Sequence, residues 1–275
     1  MRKNNLNLEQ IKQEATTLEL QIINLYFQRI SRKEISNKLS INTGKISTTV
    51  YKYGLTRFRS RNKYTINLNN LNVNNNQIWY FLGMFASDGN IYKSKHGSEI
   101  IQFTLKDKKP LEDIINILEY TGSIKEYNKP NVGLVYYLAI INKELVTFIS
   151  TIFTTIYRKT NNLKFPKIDN NTQLEFFLRG YFDGDGCYTF SDKTKRFFNV
   201  ECYCDSLDFI NTLFNITKKH IQIVPKIQNK RFRIFSRKDV YLFLKFIYQN
   251  DLNIGLTRKY LRAKQHIQNY EKLMI

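Results

Sequence analysis

Two acidic residues, each followed directly by glycine, carry the strongest chemical signal in the sequence. Asp88-Gly89 and Asp185-Gly186 end two stretches whose apolar spacing is typical of helices. A further glycine stands at the same place in both stretches, Gly83 in the first and Gly180 in the second. The second stretch is therefore a repeat of the first, and the two acids are repeat-related.

Each stretch also carries a strip of small residues. Gly83 and Ser87 are four positions apart, as are Gly180 and Gly184. Residues four apart lie on the same face of a helix, so each helix has a strip without bulky side chains. Two such strips allow two helices to pack with their backbones nearly in contact. We expect the two helices to lie side by side at a pseudo-twofold axis.

Parallel packing would bring Asp88 and Asp185 together at the carboxyl ends of the helices. A helix C-terminus already carries partial negative charge, and two carboxylates repel each other. A positive partner is therefore expected, and Mg²⁺ suits oxygen ligands shared with phosphate. The carbonyl regions of Gly89 and Gly186 would assist, and Mn²⁺ or Ca²⁺ could replace Mg²⁺ in binding. The alternative is that each Asp is only a polar helix stop.

The chain as a whole is strongly basic. Its 275 residues include 43 Lys and Arg against 23 Asp and Glu, a formal net charge of +20 at pH 7. A polyanion such as nucleic acid would neutralise this excess, with a merely solvated basic surface as the alternative. The three cysteines lack a CxxC spacing, which excludes the common zinc motifs. We expect a soluble, intracellular protein, because no secretory or membrane-spanning apolar run is present.

From about residue 77 onward, one order of elements, α-β-β-α-β-β-α, is written twice. The first pass contains a strand at 100–105, a helix at 111–120, a hairpin at 123–141 and a helix at 143–156. The second contains a strand at 198–203, a helix at 207–216, a hairpin at 221–235 and a helix at 238–248. The pattern predicts an α+β fold with two pseudo-symmetric repeats, 77–168 and 169–275.

The first 55 residues predict a small all-α domain of the helix-turn-helix type. Ser31 and Glu34 have the spacing of a capping box, and Gly44 lies in a turn before a third helix, expected from about Lys45 to Tyr53, that ends at Gly54. In such a module the last helix enters the major groove of DNA. Its candidate contacts are Lys45, Ser47, Thr48 and Lys52. A helical bundle used for protein contact is the alternative.

Further candidate DNA contacts lie in the basic, Asn-rich linker at 56–76 and in the predicted hairpins. Arg57, Arg59 and Arg61 suit an arm along the phosphates. A β-ribbon fits the major groove, and alternate side chains point to one face. The hairpin candidates are Tyr92, Lys93, Lys95, His96, Lys125, Tyr127, Lys129, Thr189, Ser191, Lys193, Lys195, Arg196, Lys226, Gln228, Lys230, Arg231 and Arg233.

The residues of the two repeats resemble the LAGLIDADG homing endonuclease family over roughly positions 77 to 270. The nine-residue motif matches at 81–89 and more closely at 178–186. This resemblance implies that Asp88 and Asp185 bind metal and support phosphodiester cleavage. It also implies a monomer whose antiparallel sheets form a saddle over a long, roughly pseudo-palindromic duplex site, and a link to intron homing. Where the second motif has Asp183 the first has Ala86, a position that we expect to face the supporting core or interface.

Family members commonly place a basic residue beyond the last helix of each half, and the resemblance points to Lys159 and Lys259 here. A lysine at the cleavage centre could stabilise the charge on the phosphate or polarise the attacking water. Both lysines are therefore candidate catalytic residues. An ordinary phosphate contact is the alternative role, and Arg158 and Arg258 are the nearest rivals.

Three functions are compatible with these features. The first is a site-specific endonuclease that cuts both strands of DNA with divalent metal. The second is an RNA-binding maturase that assists intron splicing, a role that some members of the resembling family adopt. The third is a DNA-binding transcription regulator without catalysis. The presence of both Asp88 and Asp185 favours cleavage.

Overall fold

The computed structural model of the chain describes residues 11, 14–28, 30–55, 64–157, 159–190, 198–250 and 253–273. The chain divides into two compact units, Met1–Lys63 and Tyr64–Ile275. Within the described ranges, no helix combines the length and the apolar character that crossing a membrane requires.

The described residues of the first unit include the helices α1 (Thr17–Phe27), α2 (Arg32–Leu39) and α3 (Thr43–Lys52). Their apolar sides enclose one small core that includes the fully buried Ile22, Ile35, Ile46 and Val50. The three-helix order agrees with the expected module.

Side-chain caps define where these helices begin. Ser31 and Glu34 form the predicted capping box at the start of α2, and Thr16 with Glu19 forms a second one before α1 that the sequence reading missed. At the third helix, Asn42 accepts a hydrogen bond from the amide of Gly44 at 2.7 Å. Helix α3 therefore starts at Thr43, two residues before the expected Lys45.

The first repeat of the second unit contains three helices and four strands. In chain order they are α4 (Asn76–Ser87), β1 (Asn90–Lys93), β2 (Glu99–Leu105), α5 (Lys109–Leu118), β3 (Lys125–Lys129), β4 (Gly133–Ile140) and α6 (Lys143–Ile152). The strands form an antiparallel sheet in the order β1-β2-β4-β3. Short 3₁₀ helices precede the repeat at Leu68–Asn70 and follow it at Lys159–Asn161.

The second repeat has the same order, followed by one more helix. Its elements are α7 (Asn171–Gly184), β5 (Gly186–Phe190), β6 (Phe198–Tyr203), α8 (Leu207–His220), β7 (Lys226–Gln228), β8 (Arg231–Ile234), α9 (Arg237–Ile247) and the additional α10 (Thr257–Leu273). The sheet order β5-β6-β8-β7 matches that of the first repeat. The predicted α+β fold with two repeats is confirmed, whereas α10 was not predicted.

Each sheet buries one face, and period-two alternation decides which side chains are inside. Ile101 and Phe103 of β2 are fully buried, as are Phe232 and Ile234 of β8. These inner faces join the apolar sides of the helices in one continuous core. The opposite face of each sheet carries the side chains of the intervening positions.

The start of the second unit is attached to its first repeat. The amide of Thr65 donates to the Thr121 hydroxyl at 2.8 Å, and the amide of Asn67 donates to the Leu118 carbonyl at 2.9 Å. The sequence interpretation had placed these residues in a linker that ran to residue 76. Backbone pairing with a distant segment was not visible in the local composition.

Candidate active site and nucleic-acid interface

The two motif helices, α4 and α7, pack with their backbones in near contact. A Cβ atom added to Gly83 would overlap the carbonyl oxygen of Phe177 and lie 2.7 Å from the amide nitrogen of Tyr181. A Cβ on Gly180 would meet Tyr80 and Met84 of the opposite helix in the same way. Only glycine allows this approach, so the small-residue strips have the role that their spacing predicted.

The helix pair brings Asp88 and Asp185 to its carboxyl end. Each Asp is the C-cap residue of its helix, and its amide donates at 3.0 Å to a carbonyl in the preceding turn, that of Met84 for Asp88 and of Tyr181 for Asp185. The Asp88 carboxylate lies against Gly184 of the opposite helix, where an added Cβ would overlap its Oδ2 atom. The two acids therefore meet across the repeat interface.

Both carboxyl groups are more weakly acidic than usual. Desolvation is the main cause in each case, although Asp88 is half-buried and Asp185 is partly exposed to solvent. The charge of Asp88 is the second cause at Asp185, and together they raise the pKa of Asp185 to about 6. This repulsion agrees with two carboxylates that share one site.

Lys159 and Lys259 lie beneath the two acids, each at the end of one motif helix. The Lys159 ammonium group donates to the carbonyls of Phe85, Ala86 (2.6 Å) and Ser87 (3.1 Å). The carbonyls at the end of a helix have no partner within the helix, so Lys159 acts as a cap for α4.

Lys259 makes the corresponding contacts at the end of α7 and is more deeply buried. Its ammonium group donates to the carbonyls of Phe182 (2.6 Å), Asp183 (2.7 Å) and Gly186 (2.5 Å). Burial lowers the pKa of both lysines to about 8, while Asp88 opposes that change at each of them. The structure thus brings all four predicted catalytic residues to one place.

This arrangement changes the electrostatic argument made from the sequence. The negative charge at the paired helix ends was expected to require a bound cation. In the structure, the ammonium groups of Lys159 and Lys259 already supply positive charge there. Both charges oppose the desolvation that raises the pKa values of Asp88 and Asp185. Charge balance by itself therefore does not require a metal.

The available donors nevertheless suit a divalent cation of the Mg²⁺ type. Asp88 and Asp185 offer carboxylate oxygens, and Mg²⁺ commonly takes one or two carboxylates and completes its shell with water and phosphate. Within the described ranges, no group of three or more His, Cys, Asp or Glu residues could hold a metal. The Gly186 carbonyl, expected to assist the metal, accepts a hydrogen bond from Lys259 instead. Its use by the lysine argues against a ligand role for Gly186.

The two arginine rivals of the lysines are not placed alike. Arg258 forms a surface ion pair with Asp107 at 3.0 Å and so points away from the acids. Arg158 lies outside the described residues. Asp183, at the motif position where the first repeat has Ala86, is fully buried and accepts hydrogen bonds from Tyr80 and Leu256. It faces the repeat interface, as the departure at Ala86 had suggested.

The outward face of the second sheet is basic. Lys226 and Gln228 of β7 lie opposite Arg233 and Arg231 of β8, and all four side chains occupy the face away from the buried Phe232. Arg233 also forms an ion pair with Glu201 at 3.1 Å. Four predicted contacts are thus brought together on one surface. The fifth, Lys230, lies in the turn before β8 and pairs with Asp205 at 2.8 Å.

The outward face of the first sheet is more aromatic than basic. Lys125, Tyr127 and Lys129 of β3 lie on it, and the Tyr92 hydroxyl interacts there with that of Tyr137. The sequence reading missed three members of this face, Gln102, Thr104 and Tyr137. For Gln102 and Thr104 the signal was their alternation with the buried Ile101 and Phe103 along β2.

Three predicted contacts of the first repeat lie elsewhere. Lys93 alternates with Tyr92 and therefore shares the side of the buried Ile91, where its ammonium group lies 5.8 Å from the ring centroid of Tyr157. Lys95 and His96 are exposed in the turn between β1 and β2. Thr189 of β5 is exposed and lies on the outward face of the second sheet, away from the buried Tyr188. Seven further predicted contacts fall outside the described residues, namely Arg57, Arg59, Arg61, Ser191, Lys193, Lys195 and Arg196.

Helix α3 of the first unit presents only part of its predicted contact surface. Lys45 and Thr48 are exposed, whereas Ser47 accepts a hydrogen bond from Arg32 at 3.2 Å and Lys52 pairs with Glu19 at 2.9 Å. The sequence reading missed Tyr51, whose side chain is 76% exposed. An aromatic residue this exposed on a candidate recognition helix is a further contact candidate.

Several solved structures have a fold similar to that of this chain. The homing endonuclease I-WcaI bound to its DNA recognition sequence is 16% identical, with 72% of this chain and 87% of that chain covered and a TM-score of 0.48. The N-terminal LAGLIDADG domain of DUF199/WhiA is 16% identical, with 68% and 86% covered and a TM-score of 0.46. The meganuclease I-AabMI bound to uncleaved DNA is 13% identical, with 71% and 91% covered and a TM-score of 0.47.

Comparison with curated proteins finds no match. The family described as the LAGLIDADG-like domain matches residues 75–162 and again residues 172–268. These two matches include both motif helices, both sheets and both lysines. Because they span both repeats and more than half of its residues, the chain belongs to the LAGLIDADG-like domain family.

Proposed function

We propose that this chain is a site-specific endonuclease that cuts both strands of duplex DNA with a divalent cation. The observation that supports the proposal is the meeting of Asp88 and Asp185 at the ends of the paired helices, with one acid from each repeat. The two strands of a duplex are themselves related by approximate twofold symmetry. A pseudo-symmetric pair of acids therefore suits a pair of scissile phosphates.

In this proposal Asp88 and Asp185 hold the cation, most simply Mg²⁺, between the repeats. The bound ion would polarise the phosphate and activate water for in-line attack, which leaves 3′-hydroxyl and 5′-phosphate ends. The positive charges of Lys159 and Lys259 favour the ionised form of both carboxylates, and only ionised carboxylates bind metal. The positive charges of the two lysines also stabilise the negative charge that develops on the phosphate during cleavage.

The two outward sheet faces supply the proposed DNA contacts. A two-stranded β-ribbon fits the wide major groove of B-form DNA, whereas the major groove of A-form RNA is too narrow for side chains to read. Arg231 and Arg233 suit guanine edges or phosphates, and Gln102 suits adenine. Because both repeats are in one chain, a monomer is sufficient. Helix α3 of the first unit would add contacts through Lys45, Thr48 and Tyr51.

The test is cleavage of a randomised duplex library in the presence of Mg²⁺, followed by sequencing of the cut ends. We expect one enriched site and cuts on both strands. The variant Asp185→Asn should bind the selected duplex and fail to cut it. Asp208→Asn, which changes an exposed acid on α8, is the matched control and should cut normally. Undiminished cleavage by Asp185→Asn would contradict the proposal.

A DNA-binding protein without nuclease activity is the second candidate. The observation in its favour is that Lys159 and Lys259 already balance the charge at the helix ends. The same library separates the two functions. Enrichment by binding, with no cut ends over a range of Mg²⁺ and Mn²⁺ concentrations, would support the regulator and exclude the nuclease.

A further inference from the structure

The segment before α10 is held by two buried carboxylates that come from opposite repeats. Asp113 of α5, in the first repeat, accepts a hydrogen bond from the amide of Gly255 at 2.8 Å. Asp183 of α7, in the second repeat, accepts one from the next amide, that of Leu256, at 2.9 Å. Consecutive amides of one short segment are thus bound from both sides of the repeat interface. We call Asp113 and Asp183 the carboxylate clamp.

The carboxylate clamp is part of a buried polar network. Asp113 is 3% and Asp183 2% exposed. Lys109 pairs with Asp113 and also donates to the carbonyl of Asn253 at 2.7 Å, so a second contact joins α5 to the same segment. Tyr80 of α4 donates to Asp183 at 3.1 Å. Hydrogen bonds to buried charged groups are strong, because the alternative is an unpaired charge out of water.

Gly255 is required at the centre of this arrangement. Its φ angle is +109°, a conformation that residues with a side chain rarely adopt. An added Cβ would lie 2.5 Å from Oδ2 of Asp183. Close approach of the segment to the carboxylates therefore depends on glycine.

The clamped segment leads directly into the first turn of α10. The Leu256 carbonyl accepts hydrogen bonds from the amides of Lys259 and Tyr260, both at 3.0 Å. The clamp thus holds the backbone of the turn from which the Lys259 side chain extends. Asp183 contributes twice, because its carboxylate binds Leu256 and its carbonyl accepts a hydrogen bond from Lys259.

The other lysine is held differently. Lys159 lies in a 3₁₀ helix, and its carbonyl accepts a hydrogen bond from Leu163 at 2.7 Å. The first motif has Ala86 where the second has Asp183, so that position offers no carboxylate to the Lys159 segment. The two lysines thus have similar carbonyl contacts, but only the segment that leads to Lys259 is held by the carboxylate clamp.

We propose that Asp113 and Asp183 are positioning residues for Lys259, and that they make cleavage of one DNA strand depend on contact between the two repeats. The inference rests on the proposed nuclease function, with Lys259 serving one of the two scissile phosphates. Loss of the clamp shifts Lys259 and leaves Lys159 in place. Shifts of about 1 Å at a reacting centre can cost up to roughly a hundredfold in rate. Strand cleavage therefore becomes unequal.

The test compares Asp113→Ala with Asp113→Asn and the wild type on a duplex labelled separately on each strand. We expect Asp113→Ala to slow cleavage of one strand by about tenfold or more and the other by less than about twofold, so that nicked product accumulates. Asp113→Asn keeps an acceptor oxygen and should recover much of the lost rate. Gly255→Ala disturbs the clamp at its other carboxylate, because the added Cβ would meet Oδ2 of Asp183, and it should slow the same strand.

A second measurement is independent of cleavage. Hydrogen exchange of the metal-free protein should become faster at residues 253–260 in Asp113→Ala and stay unchanged at 159–163. Equal slowing of both strands, or no change in exchange at 253–260, would overturn the inference. If the wild type cuts no DNA at all, the nuclease proposal itself fails. If the wild type cuts DNA, and Asp113→Ala and Gly255→Ala cleave the two strands at equal rates, only the positioning role fails.

Discussion

Gly83 and Gly180 lie against each other at the centre of the helix pair, where a Cβ added to Gly83 would come within 3.1 Å of the Gly180 carbonyl carbon. The separation between α4 and α7, and with it the separation between Asp88 and Asp185, is therefore decided by the absence of two side chains. A methyl group at either position would force the helices apart.

We predict that Gly180→Ala destabilises the second unit by about 3 kcal/mol or more, because the added methyl meets backbone atoms that cannot rotate away. Trp79, the one tryptophan of the chain, is buried in that unit, so its fluorescence during urea unfolding gives the measurement. Gly44→Ala is the control. This helical glycine is exposed, and an added Cβ would lie 3.2 Å from Oδ1 of Asn42, a contact within the first unit. Alanine there should not move the Trp79 transition.

The pKa of Asp185 predicts a conflict between stability and function. Folding raises this pKa from its ordinary value of 3.8 to about 6. An acid whose folded pKa is raised destabilises the folded state once both states are ionised, and this cost disappears as the pH falls below its ordinary value. Asp185→Asn should therefore stabilise the metal-free protein at pH 7.5 by about 1 kcal/mol, a value reduced for the solvent exposure of Asp185.

Thermal unfolding without divalent ions at pH 7.5 and at pH 4 measures this effect. The advantage of Asp185→Asn should shrink toward zero at the lower pH. Asp183→Ala is the contrast, because it removes the buried acceptor of the hydrogen bonds from Tyr80 and Leu256, and we expect a loss of stability there. A destabilised Asp185→Asn at pH 7.5 would contradict the raised pKa of Asp185.

In the first unit, Glu19 connects the start of α1 to the end of α3. It caps Thr16 and accepts hydrogen bonds from Lys52 and Tyr53, with Lys52 as the largest cause that lowers its pKa to about 2. A lowered acid pKa stabilises the fold above the ordinary value of 4.5, and this contribution is lost between about pH 4.5 and 2. Glu19→Gln should cost about 1 kcal/mol at pH 7.

Circular dichroism of the helical signal during thermal unfolding, followed between pH 7 and pH 2.5, tests this prediction. The difference between Glu19→Gln and the wild type should narrow as the pH falls. Glu14→Gln is a matched control on an exposed residue and should have little effect. If the difference in stability between Glu19→Gln and the wild type is the same at all pH values, the loss of stability comes from packing instead of charge.

The outward faces of the sheets predict which cations bind DNA phosphate. Arg231 and Lys226 share the outward face of the second sheet, whereas Lys93 lies on the opposite side of the first. Arg231→Ala should weaken binding of the selected duplex and reduce the slope of log affinity against log salt by about 1. Lys93→Ala should leave the slope unchanged.

Fluorescence anisotropy across a salt series, in the Asp185→Asn background that prevents cutting, gives both slopes. If the slope of log affinity against log salt is equal for Arg231→Ala and Lys93→Ala, the sheet face on which a residue lies does not decide whether it contacts DNA. A change of base preference without a change of slope in Arg231→Ala would indicate a contact to a base edge instead of a phosphate.

Local patterns in the sequence were sufficient for the elements and their order. Apolar spacing predicted both repeats, and strand β6 was predicted with its observed bounds, Phe198–Tyr203. Helix ends were less accurate, because a cap such as Asn42 extends a helix by one or two residues. The long α10 escaped prediction. Its apolar positions are few, and it is held partly through Lys259 and the segment before it.

The repeated Asp-Gly ends were likewise enough to select Asp88 and Asp185, because repetition and helical spacing are properties of the chain alone. Only the tertiary structure decided how Lys159 and Lys259 are used, that Arg258 pairs with Asp107, and that Asp113 joins Asp183 around Gly255. Gly255 and Asp113 are 142 positions apart. Contacts over such separations form only when two packed helices bring distant segments together, and no local pattern records which segments those are.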